Sequence, residues 1–308
     1  MIALPKLIFS KEKHAEGWLV DDIEPEHPLP PDRQGSQEEK AVASLRCFGI
    51  AILRNALNKS LMEEVAQSAN SYVELIQDHL DNNRDFDDLD SSYNFYEKTY
   101  AADLVAIDPL TRSESNQLQL EKTRVFEAVI SGPLRSLLER VVSIHASWSM
   151  GRVRIVFPDR PQDHSGALNF HQEKTVTPFA GLHNIWTPLL PNGIVTNVDT
   201  PGVQFFIGDR AQLINQRADE KIEQQNQELL GELSKIGEGE MLPDKEGFVL
   251  RPHVSSGDVI IFDRYVPHAS YIPPSAKYPR VSLDIRLFPT PIERGPKPFP
   301  LDVHFRSA

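Results

Sequence analysis

GDVIIFDRYVPHASYIPP, residues 257–274, reads as a short buried strand, Val259–Phe262, that runs into a polar turn and delivers His268 at its end. A brief apolar run bounded by glycine and a proline-containing turn has the length of a strand rather than a helix. Similar runs recur from about residue 147: GRVRIVF at 151–157, HNIWTPL at 183–189, GVQFFIG at 202–208 and RVSLDIRLF at 280–288. Gly, Pro, Asn and Asp punctuate them, which predicts antiparallel strands in a sandwich or barrel.

Upstream the pattern is helical. DIEPEHPLPPDRQGSQE, residues 22–38, reads as an extended lead-in, followed by a helix ending at Gly49 and a β-rich piece, IAIL. A second helix is expected to start near Asn58 or Ser60, with Leu61, Val65 and Ala69 on one stripe continued by Tyr72, Leu75, Ile76 and Leu80. Residues 81–92, DNNRDFDDLDSS, read as a solvated acidic loop that lacks the ligand spacing of a calcium-binding EF-hand. Residues 116–145 read as helical again, with Pro133 near the start of a new helix. A polar, helix-prone insertion at 211–239 reads as a lid, an oligomer contact or a plain solvated helix. The expected architecture is mainly β with flanking helices in a single domain over 1–308. A largely helical support region, 1–146, precedes a β core, 147–290, and a C-terminal tail, 291–308.

Composition narrows the partners. A net charge of −12 with no cluster of lysines and arginines argues against nucleic acid. No apolar run reaches the roughly 18 residues of a membrane span, and the N-terminus lacks the plan of a secretory signal. The single cysteine, Cys47, sits in LRCFGIAIL, excludes an intramolecular disulfide and a cysteine-rich zinc site, and reads as a buried inert thiol. A cytoplasmic protein acting on a small molecule, with no membrane partner, is expected; its oligomeric state is left open.

A histidine two positions before an acidic residue occurs three times, at His14, His79 and His171. Residues i and i+2 share a face on a strand but not on a helix. His79 lies in an expected helix and His14 in the N-terminal lead, so His171 and Glu173 in NFHQE form the pair with geometry suited to a metal. His268 is the best third ligand. Two imidazoles and a carboxylate on one face of an ion leave three open positions, the arrangement of non-haem Fe(II) oxygenases. Twelve residues on, Arg280 opens RVSLDIRLF. Its planar fork is what the far carboxylate of an α-keto dicarboxylic acid needs.

The motifs NFHQE, IWTPL, TPGVQFFIGD, SSGDVIIFD, VPHASY and PRVSLDIRL, in that order, resemble the phytanoyl-CoA dioxygenase-like family of Fe(II)/2-oxoglutarate-dependent oxygenases. LRCFGIAILRNALNKSLMEEV resembles the family's opening helix and first strand. The resemblance covers most of residues 40–290, with 81–130 and 211–250 poorly matched. It implies a double-stranded β-helix (jelly-roll, cupin-like) core, Fe(II) held by His171, Glu173 and His268, and 2-oxoglutarate gripped by Arg280, with O2 as the second cosubstrate. Arg286, on the same strand face as Arg280, is the rival anchor. The family's commoner carboxylate is Asp, so Glu173, one methylene longer, departs from its pattern. A carboxylate at this position favours hydroxylation, desaturation or cyclisation over halogenation, with release of succinate and CO2. A peptide-modifying oxygenase with the same iron site and a non-oxygenase cupin-like metal binder are the alternatives.

Further candidates surround this set. Arg152 and Arg154 share one face of GRVRIVF, where an anion could bind or a solvated face could lie. Asn169, Gln172, Trp186, Gln204 and His164 are candidate substrate or supporting contacts, with core the favoured reading of Trp186. His183 and Asn184 point to opposite faces, and the sequence does not say which looks inward. Asp258 reads as a structural hydrogen-bonding residue.

Overall fold

The computed structural model describes residues 37–82, 124–132, 134–141, 145–149, 153–159, 167–172, 183–208, 247–289 and 300–304. The expected insertion at 211–239, the acidic stretch from residue 83 and His164 lie outside them, as do Glu173 and Arg152.

Helix α1, Gln37–Phe48, starts two residues inside the expected lead-in and ends at Gly49. Gly49 adopts φ +75°, the left-handed cap that glycine takes without steric penalty. Strand β1, Ile50–Leu53, follows at once. Helix α2, Lys59–Asn82, is capped by Asn58, whose Oδ1 accepts from Leu61 N at 3.1 Å. Its buried stripe is Met62, Val65, Ala66, Ala69 and Val73, while Leu61 is only half-buried. The expected stripe was therefore set one residue off at its start: Met62, not Leu61, begins the i, i+3, i+4, i+7 series. Residues 124–131 form α3, and α4 spans Leu134–Val141, its Leu134, Leu137 and Leu138 buried. Helix was expected through residue 145, yet His145 already belongs to strand β2, His145–Ser149. VVSI is rich in β-branched apolar residues that suit either element, so a run this short could not separate the helix end from a strand start.

The remaining strands are β3 (Val153–Val156), β4 (His183–Pro188), β5 (Gly202–Gly208), β6 (Gly247–Leu250), β7 (Val259–Asp263), β8 (His268–Tyr271), β9 (Arg280–Pro289) and β10 (Pro300–His304). Of the ten described strands, seven make one antiparallel sheet in the order β1-β7-β4-β9-β2-β10, with β3 also paired to β9; β6-β5-β8 make a second. Both the N-terminal β1 and the C-terminal β10 join the large sheet, beside β7 and β2 respectively.

Strand alternation sorts the side chains into layers. From β9, Val281, Leu283, Ile285 and Leu287 join Leu53, Val259, Ile261 and the buried stripes of the four described helices. The opposite face of the large sheet gives Ile50, Ile52, Ile260 and Phe262 to an inner cluster with Val203, Phe205 and Leu250 of the small sheet. Phe205 meets Phe262 edge to face at a centroid distance of 5.1 Å. Helices, large sheet and small sheet thus form three layers.

Asp258 does have a structural task. Its carboxylate accepts from Asn55 N, Ser255 N and Arg54 Nη1, each at 2.9 Å, tying the turn after β1 to the start of β7. Gly202 is where the backbone runs closely against a side chain. A Cβ there would fall inside the Asn197 side chain, whose Nδ2 donates to Val203 O at 3.1 Å and Pro252 O at 2.8 Å. Gly202→Ala is expected to cost about 1–3 kcal/mol through overpacking, read as a lower urea midpoint. A midpoint equal to the parent's would contradict this account of the contact.

Candidate active site

His268 opens β8, directly after the turn that follows β7. His171 sits beside it in an isolated antiparallel bridge. His171 N donates to His268 O at 3.0 Å and His268 N donates to His171 O at 2.9 Å. Residues directly opposite in such a pair share a face, and the two imidazole centroids lie 4.3 Å apart. The main chain alone therefore brings together two histidines 97 positions apart in sequence.

Each ring is also oriented. His171 Nδ1 lies 2.8 Å from Asn169 O, and His268 Nδ1 lies 3.0 Å from Val266 O. A carbonyl only accepts, so each ring donates from Nδ1, which in its neutral form leaves the lone pair on Nε2. That is the tautomer a metal takes, fixed by the partner of the other nitrogen. This donor chemistry fits a borderline divalent ion such as Fe(II). Among the described residues, no group of three His, Cys, Asp or Glu comes together. The carboxylate expected from Glu173 lies outside them.

Burial holds the pKa of His268 well below the ordinary 6.5, and the neighbouring His171 lowers it further, against a smaller raising effect from the Val266 carbonyl. In the metal-free protein the folded state thus favours neutral His268, and the unfolded chain binds more protons below the ordinary value. The resulting stability is fully present above pH 6.5 and is lost as pH falls through it toward the lowered folded value. The urea midpoint of metal-free protein is expected to drop between about pH 7 and 5, with part of that drop absent in His268→Gln. An identical drop in both proteins would exclude His268 as its source.

The large sheet supplies the opposite wall of the pocket. Arg280, Asp284 and Arg286 of β9, Asn184 and Trp186 of β4, and Arg154 of β3 line it together with the two histidines. Arg280 is 1% exposed; its Nη1 donates to Gly202 O at 2.6 Å and its guanidinium carbon stands 5.7 Å from the Trp186 ring centre. Arg154 Nε donates to Asp284 Oδ2 at 3.0 Å, so this arginine is held in an ion pair on the pocket wall rather than on a solvated face. Of the pair left undecided by sequence, Asn184 faces the pocket, while His183 belongs to the other face of β4.

Other expected contacts fall elsewhere. Gln172 is buried but donates from Nε2 to Tyr265 O at 2.7 Å, bracing the turn before His268. Asn169 serves through its carbonyl, which accepts from His171. Gln204 is not a pocket residue: its Oε1 accepts from Arg251 Nε at 3.0 Å, and the strand turns Phe205 inward in its place. Asp284 is an additional pocket residue, and its sequence signal is the polar alternation Arg280, Ser282, Asp284, Arg286 along one strand.

No family model matches the chain, and no curated protein matches it. Solved structures do. SnoK, a non-heme alpha ketoglutarate dependent carbocyclase from nogalamycin biosynthesis, aligns over 83% of this chain and 85% of its own, with TM-score 0.50 and 9% identity. ThoJ, a non-heme monooxygenase solved as a nickel complex, aligns over 81% and 77%, with TM-score 0.46 and 11% identity. EctD from S. alaskensis, solved with 2-oxoglutarate and 5-hydroxyectoine, aligns over 86% and 79%, with TM-score 0.42 and 13% identity. The likeness to SnoK is one of fold. No helix among the described residues is long and apolar enough to cross a membrane.

Proposed function

We propose that this protein is an Fe(II)/2-oxoglutarate-dependent oxygenase acting on a small molecule, built on a double-stranded β-helix and related to the phytanoyl-CoA dioxygenase-like enzymes. The observation that carries the reading is the pairing of His171 and His268, both in the Nε2-ligating tautomer, in one pocket with the buried Arg280. His171 and His268 would hold the metal, with Glu173 as the carboxylate. When bound, iron and 2-oxoglutarate supply the oxidising power, drawn from O2, with succinate and CO2 as coproducts.

The chain's own work is positional. Arg280 offers two parallel N–H donors to a carboxylate and keeps its charge at any working pH. Gly202 O holds that guanidinium by one edge, and the Trp186 ring lies beside it. Phe205 and Phe262 pack against the His268 ring, at centroid distances of 6.3 and 4.7 Å, and help to keep water from it. Hydroxylation, desaturation and cyclisation all remain open to a site so built.

Anaerobic addition of Fe(II) and 2-oxoglutarate to the purified protein tests the reading. A weak visible charge-transfer band is expected, with slow succinate formation once air is admitted. Absence of both would sink it.

A further inference from the structure

We propose that the pocket recognises a hydroxyl group of the substrate, which accepts from Asn184 Nδ2 and donates to Asp284 Oδ1. This rests on the oxygenase reading and adds to it the substrate's chemical class.

Two polar atoms on the pocket wall are left unmatched. Asn184 is 4% exposed, and its Nδ2, a donor, finds no hydrogen-bond partner among the described residues. Asp284 gives Oδ2 to Arg154 at 3.0 Å, while its Oδ1, an acceptor, is buried and likewise finds none. Buried polar atoms are nearly always paired, and each one left unpaired lowers stability. One unmet donor and one unmet acceptor thus belong to residues that line the same pocket.

Sheet register sets them side by side. In the β4–β9 pairing Asn184 lies opposite Arg286 and Trp186 opposite Asp284, so Asn184 and Asp284 are diagonal neighbours on the pocket face. Such neighbours stand roughly 7–8 Å apart across the strands. One oxygen atom bridges that gap with two hydrogen bonds of about 2.8 Å each.

Chemistry selects the occupant. A carboxylate brings only acceptors and meets the Asp284 carboxylate with like charge. A ketone or an ether accepts from Asn184 but has nothing to donate to Asp284. A hydroxyl does both from a single oxygen, whereas an amide needs two atoms set side by side. Apolar groups flank the pair: Phe262 lies opposite Asn184 on β7, and Trp186 follows two residues along β4. Phe262 also packs against His268 at a centroid distance of 4.7 Å, and the Asp284 carboxylate is near enough to act on the charge of that ring. The hydroxyl is therefore held on the histidine side of the pocket, and an apolar carbon frame bearing an alcohol is the class that fits.

The test uses the full chain, both metal-free and loaded anaerobically with Fe(II) and 2-oxoglutarate. Cyclohexanol and 1-indanol, with the size-matched ketones cyclohexanone and 1-indanone, are titrated by calorimetry. At least one alcohol is expected to bind, its ketone weaker by about tenfold, the worth of a hydrogen bond to a charged acceptor. Asp284→Asn should erase that preference, and Asp284→Glu, which keeps the acceptor, should retain part of it. Asn184→Leu, which keeps the shape and removes the donor, should weaken alcohol and ketone alike by about threefold to tenfold. The same variant should raise the urea midpoint of the ligand-free protein, because an unmatched buried donor is gone. No alcohol binding, equal binding of alcohol and ketone, or a full preference in Asp284→Asn would overturn the hydroxyl position and leave the oxygenase reading intact. A lowered midpoint in Asn184→Leu would also overturn it, by giving that amide a structural bond. A parent that shows no 2-oxoglutarate band but still prefers the alcohol when metal-free would sink the oxygenase reading alone.

Discussion

His268→Ala and His171→Ala are each expected to abolish the charge-transfer band of the iron- and 2-oxoglutarate-loaded protein and to weaken Fe(II) binding by more than about a hundredfold. The magnitude follows from position. Partners that merely orient a ligating histidine are worth roughly 10–100-fold in metal affinity, and a ligand removed outright exceeds them. The substitution is also unusually clean. The bridge between the two residues is made by main-chain N–H and C=O groups, so alanine keeps the local pairing and deletes only the imidazole. Loss of the band with a parent-like unfolding profile would locate the defect at the metal. A band retained in either variant would remove that histidine from the ligand set.

Arg280→Gln is expected to raise the dissociation constant for 2-oxoglutarate by the equivalent of about 2–5 kcal/mol, the usual cost of truncating one partner of a buried, hydrogen-bonded charge pair. Arg280 is among the largest fully buried side chains of the described protein. The cosubstrate's far carboxylate is the ligand proposed for this guanidinium, whose fork matches both of its oxygens. Glutamine keeps an N–H donor and most of the stem but removes the charge. Titration of the band against 2-oxoglutarate in parent, Arg280→Gln and Arg286→Gln reads the result. A shift confined to Arg280→Gln assigns the anchor; a shift confined to Arg286→Gln reverses the assignment.

Strand β9 shows how much of this site is written in one dimension. RVSLDIRLF alternates polar and apolar residues with period two, and a pleated strand must send those two sets to opposite faces. The apolar set meets the helices, and Arg280, Asp284 and Arg286 of the polar set line the pocket. The run at 259–262 lacks such alternation because β7 is covered on both sides, by the helix-facing core and the inner cluster. Helix α2 was legible in its position but less so in phase, since Leu61 and Met62 are both apolar and only packing selects Met62.

The sequence by itself determined the layered plan of helices on an antiparallel β core, the strand positions of β1, β4, β5, β7 and β9, and the residue types that a metal and an anion would need. Such features are local: they follow from backbone periodicity and side-chain chemistry within a few residues. Only the tertiary structure decided which local features meet. It placed His171 against His268 through a two-residue bridge, turned Asn184 rather than His183 into the pocket, withdrew Gln204 to Arg251, and set Arg154 on Asp284. Each of these depends on strand register, and register is fixed by the packing of distant chain segments, which no short window of sequence contains.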